Sequence, residues 1–402
     1  MRFLLASSWW WCALALAGAA QTPPAPDPQP PAPAGANPSG SCRGCLTHGS
    51  NACRLHGKDL GPEAAPFVLH CSAATECKAC GGALAVDCRQ CANQPVEDNL
   101  LNRQRLAREW LAGRRTAIDA LTAREPFAHL STTHFELAFA CKPAMVGKEK
   151  IDQHARMHLY GQRLEELRTV FLQTFELPAE DLPDRCTIAM SEEAKDHAIL
   201  GPRLTGLGTQ NSVGLKLMGP EFVYSMWCDK RSLPDDEAVH RNVVHNVTHL
   251  LLSQMRPMLF LGNKQHGWVD EGVAHWFEDK LVGKCTNFCF EEILMQQVAS
   301  FKGGKWRPAV RKLVDEGKAP SFAALSDRNT DQLGYVEHAF AFAYVDFLLA
   351  VHGGAKFRDF VRQLKNDRPT REVLPVVYGY NPLSIDAAFL PWVKANYSPL
   401  PR

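Results

Sequence analysis

Apolar and polar positions divide the chain into a leading apolar run, a polar stretch punctuated by cysteine, and a long mixed region. In the mixed region, Glu97 to Ala123 spaces its apolar residues as a charged amphipathic helix. His134 to Cys141 alternates as a strand, and Lys150 to Phe175 predicts a second long helix. Short strands follow at Cys186–Met190, Gly214–Met218 and Glu221–Trp227, after which the pattern is mainly helical. Strands first and helices later predict an α+β domain over residues 97–402.

Within the helical part, Leu233-Pro234-Asp235-Asp236-Glu237 opens a helix, with proline suited to a first turn and acids at the positive end. Val239, Val243, Val247, Leu250 and Leu251 supply its apolar side, and Pro257 stops it. A second helix is expected from Gly267 to Glu278, and a third from Tyr335 through Leu349.

The leading run adds a destination. One basic residue, Arg2, precedes apolar residues from Phe3 to Ala17 and the small residues Ala17-Gly18-Ala19-Ala20, as in a signal peptide spanning 1–20. The expected location is therefore periplasmic or secreted, with an uncleaved N-terminal anchor as the alternative. Residues 21–40, rich in Pro and Ala, predict an extended disordered linker. No later segment is apolar enough to span a bilayer. With 44 Lys plus Arg against 43 Asp plus Glu, no net field would draw the chain to nucleic acid.

Eight of the fourteen cysteines fall between residues 42 and 91, and all but Cys71 form a repeat. Cys42-x2-Cys45-x7-Cys53-x2-His56 is matched by Cys77-x2-Cys80-x7-Cys88-x2-Cys91, so each unit offers four ligands to a tetrahedral zinc ion. Replacement of one cysteine by His56 favours metal, whereas export leaves disulfides open. Residues 41–92 are thus expected to form a small module stabilised by up to two zinc ions, or by disulfides in their place. The five later cysteines from Cys141 to Cys289 are an odd number. One disulfide among Cys141, Cys186 and Cys228 is expected, and Cys285 is a candidate partner for Cys289.

The chemistry concentrates at His245-Asn246-Val247-Thr248-His249, where two histidines four apart share one helix face. Twenty-one residues separate His249 from Glu271, which opens the run Glu271-Gly272-Val273-Ala274 just after Trp268. This stretch, tightly over residues 235 to 280 and more loosely to about 350, resembles the gluzincin (thermolysin-like) zinc metallopeptidases. The resemblance implies His245, His249 and Glu271 as ligands of one zinc ion, with water in the fourth position. Gly272 would let the second helix approach the first, and strand 214–218 or 221–227 would be the edge that holds an extended peptide. The resemblance also makes Tyr335 and His338 candidate oxyanion stabilisers.

The departure is Asn246, at the position of the family's general-base glutamate. An amide cannot carry that proton, and loss of a general base costs about 10²- to 10⁴-fold. The expected protein is a pseudopeptidase that binds peptide or protein. The alternative is an active zinc metallopeptidase with another carboxylate as base, for which Asp270 and Glu278 are the nearest in sequence. A structural domain without this metal is the third reading.

Overall fold

Six strands and two long helices build the platform for the site. The structure, a computed structural model, describes residues 50–55, 68–122, 127–208, 212–219, 221–289 and 303–399. The expected signal peptide and linker, together with Cys42, Cys45 and His56, lie outside the described residues.

The strands are β1 (Ser50–Ala52), β2 (Val68–Cys71), β3 (Ala85–Asp87), β4 (Ala128–Thr132), β5 (Phe135–Phe139), β6 (Ala144–Val146), β7 (Glu149–Ile151), β8 (Cys186–Ser191), β9 (Gly214–Met218) and β10 (Phe222–Trp227). The main sheet has the order β2-β4-β5-β8-β10-β9. β8 runs parallel to β5 and β10, and the remaining neighbours are antiparallel. β10 is therefore interior, and β2 and β9 are the edge strands.

The N-terminal helices are α1 (Ser72–Thr75), α2 (Gln94–Ala117), α3 (Gln153–Thr174) and α4 (Ala194–Thr205). α2 starts three residues earlier than its apolar spacing suggests because the Asn93 side chain accepts from the Val96 amide and caps it. Alternation along β5 and β8 separates two faces. Leu137, Phe139, Ile188 and Met190 join the main core with Tyr160 and Leu164 of α3. Ala138 and Ala189 pack instead with Leu200 of α4, where small side chains let that helix approach.

After the sheet come α5 (Asp236–Gln254), α6 (Gly267–Val282), α7 (Trp306–Asp315), α8 (Phe322–Leu325), α9 (Tyr335–His352), α10 (Gly354–Lys365), α11 (Thr370–Tyr378) and α12 (Ile385–Asn396). The chain is thus mixed α and β, with the larger helical share in its C-terminal half. Asp235 caps α5 through the Ala238 amide, which leaves Pro234 ahead of the helix rather than in its first turn. α5 is buried on nearly every side, so its polar residues face protein as well. Lys365 closes its far end, donating to the carbonyls of Leu252, Ser253 and Met255.

α6 lies between α5 and α9. Gly272 serves the second of these contacts rather than the first. A Cβ there would stand 2.6 Å from the Ala341 carbonyl oxygen of α9 and 2.8 Å from Val345. The cysteine-rich stretch also packs on this body, because β2 is a strand of the main sheet and Cys53, Cys71, Cys80 and Leu84 join the main core.

Candidate metal centre

α5 presents His245 and His249 one turn apart, and α6 brings Glu271 against them. Their ligand atoms converge with a fourth, the thiol of Cys289, and all four lie within 4.8 Å of one another. The two Nε2 atoms are 3.3 Å apart, and Cys289 Sγ stands 3.4 Å from His245 Nε2 and 3.2 Å from His249 Nε2. The Glu271 carboxylate is 3.6 Å from His245 Nε2 and 3.7 Å from His249 Nε2. A tetrahedron built from metal–nitrogen bonds of about 2.05 Å and a metal–sulfur bond of about 2.3 Å has edges of about 3.3–3.6 Å. The observed separations fit a single ion of that size held by four protein ligands.

The surroundings of Glu271 also suit a bound cation. Glu271 is fully buried, yet neither carboxylate oxygen meets a donor in hydrogen-bonding geometry. Buried charges of this kind are paired or bind metal. Burial opposes its charge and the imidazoles of His249 and His338 favour it, with the net effect a carboxyl held well below its usual range. Burial also holds His245 in the neutral form that metal ligation requires.

The outer nitrogens of both ligand histidines are turned toward carboxylates. His249 Nδ1 is 3.0 Å from Asp270, and His245 Nδ1 is 3.3 Å from Glu278. Neither contact has hydrogen-bonding geometry, so the two carboxylates stand beside the outer nitrogens without being bonded to them. Glu278 also lies 3.3 Å from His275 Nδ1, and it accepts from the Thr286 amide and the Asn287 side chain, each at 2.7 Å. Burial pushes its carboxyl up to about 8, against the pull of those donors. Lys216 of β9 donates to Cys289 Sγ at 2.8 Å. Burial disfavours its charge, but Cys289 and Glu271 more than restore it and raise its pKa.

The remaining expected residues differ in how they lie relative to this cluster. His338 of α9 is buried, with Nδ1 3.4 Å from Glu271 and 3.0 Å from His275 Nε2, whereas Tyr335 at the start of that helix is 37% exposed. Asn246 is turned back on its own helix, its amide donating to the Asn242 carbonyl at 2.8 Å. Asp270 and Glu278 face the outer nitrogens of the ligand histidines, not the cluster itself.

Cys289 is the member of this group that spacing did not identify. Cys285, its expected partner, instead donates to the His275 carbonyl, 3.3 Å away. The available signal was the odd cysteine count, which leaves one thiol for another task. Cys141 and Cys228 lie with their sulfurs 3.3 Å apart, while Cys186 begins β8 at the opposite end of the sheet from the ends of β5 and β10 that lead to them.

In the cysteine-rich stretch, Cys53 meets Cys77 and Cys80 in one group that could hold a metal. Pairing of β1 with β3, and of the Cys53 amide with the Leu84 carbonyl at 2.9 Å, draws Cys53 to the second repeat unit. The group therefore draws on both units rather than on one.

No family model matches the chain, and no curated protein is significantly similar to it.

Proposed function

We propose that this chain is an exported, gluzincin-like zinc protein that has kept the metal and lost peptide hydrolysis, and that it binds a peptide or protein along the edge strand β9. The observation that carries this reading is the Cys289 thiol among His245, His249 and Glu271. It stands where a peptidase keeps water, and structural zinc sites are closed by a fourth protein ligand in this way. Asn246 supports the same conclusion independently, since its amide is committed to the helix backbone and carries no transferable proton.

The reading is tested by restoring the two missing features together. Wild type and Asn246→Glu should both stay near background on an unstructured protein substrate with zinc present, because the thiol still closes the metal. Asn246→Glu combined with Cys289→Ala should gain chelator-sensitive hydrolysis, of about 10²-fold or more for a restored general base. Chelator-sensitive activity in wild type equal to that of the double variant would overturn the proposal and point to an active peptidase with another base.

A further inference from the structure

A second pair of histidines four apart lies on α3, in His154-Ala155-Arg156-Met157-His158. Both are half-buried, and their rings meet edge to face with centroids 4.7 Å apart. Facing them is Cys71, the last residue of β2, which is fully buried. Its sulfur is 3.5 Å from His154 Nε2, and one ligand atom from each of the three residues lies within 4.8 Å of the others. Cys71 belongs to neither Cys-x2-Cys repeat unit and forms no disulfide.

We propose that Cys71, His154 and His158 form a second metal site, separate from the first, that takes a zinc ion and fastens the cysteine-rich stretch to α3. One thiolate and two imidazoles suit a borderline-soft divalent ion. The Cys71–His154 separation matches the sulfur–nitrogen edge of about 3.6 Å in a zinc tetrahedron. The site also has mechanical logic: Cys71 ends an edge strand whose pairing with β4 shifts register between Val68 and His70. Such a bulge re-aims the chain that follows it. Three protein ligands leave one position, which suits water or a small external donor.

The test counts metal in the full chain, prepared under reducing conditions. Replacing both histidines, His154→Gln with His158→Gln, should remove one molar equivalent of zinc. His245→Gln with His249→Gln should remove a different one, so that the combined protein loses two. Cobalt-loaded Cys71→Ser should lose part of the thiolate-to-metal charge-transfer absorption. A folded His154→Gln/His158→Gln protein with the wild-type zinc count would overturn the proposal and leave a metal-free thiol–imidazole contact. Should that variant not fold, His158→Gln alone decides by cobalt titration of chelator-stripped protein. An affinity at least tenfold weaker supports the site, and unchanged affinity rejects it.

Discussion

Glu278 lies between His245 Nδ1 and His275 Nδ1, 3.3 Å from each; it is hydrogen-bonded to His275 and is the carboxylate that His245 Nδ1 would meet if Nε2 held a metal. Its carboxyl is pushed up by burial, and a cation beyond His245 would pull it back toward the ionised form. Glu278→Gln is therefore expected to weaken zinc binding about 10- to 100-fold, as losses of such outer carboxylates do. Competition with a chromophoric chelator measures this, and unchanged affinity would show that the His245 tautomer is set elsewhere. At this scale the sequence was legible for His245, His249 and Glu271, because helical spacing alone puts the first two on one face. Cys289 was not legible, since it follows a loop whose path no local periodicity fixes.

At the scale of elements, the centre depends on how closely α6 lies against α9. A methyl group at Gly272 would press on the Ala341 carbonyl, which is backbone and cannot swing aside. Gly272→Ala should cost about 1–3 kcal/mol in urea unfolding and weaken zinc binding, because its neighbour Glu271 moves with the helix. Gly113→Ala is the control. Nothing lies within 4 Å of a Cβ there, so helix propensity should make α2 about 0.5–1 kcal/mol more stable. Equal effects at both positions would sink the close-packing argument. The glycine was visible in the sequence, but not which neighbour required it: α5 is nearer along the chain, and only packing names α9.

Across the whole molecule, α3 ties the sheet to the helical half by holding the start of α5. Asp236 accepts from Arg156 at 2.9 Å, Arg163 at 2.7 Å and Tyr160 at 3.1 Å. Burial alone would raise its pKa, but the two guanidinium groups reverse that and hold the carboxyl below its usual range. The unfolded chain therefore binds a proton on Asp236 before the folded one does. The pair's contribution is present at neutral pH and drains away as pH falls below the ordinary aspartate value of about 3.9. Asp236→Asn should lower stability by about 3–5 kcal/mol at neutral pH by leaving Arg156 without its counter-charge. Its acid loss of stability should also be shallower than that of wild type. Parallel pH profiles from urea midpoints would assign the acid sensitivity to other groups.

What the sequence determined by itself is local. Periodicity placed α2, α3, α5, α6 and α9 and the strands β5, β8, β9 and β10, but not β4, β6 or β7, and the three separated metal-ligand candidates followed from spacing and resemblance. Tertiary structure decided which groups share one point in space: Cys289 with the His245 cluster, Cys53 with the second cysteine unit, and Cys71 with two histidines of α3. The physical reason is that periodicity orients side chains only within one element. A group delivered by a loop or by a distant strand acquires its partners only when burial of the shared core fixes how the elements lie together.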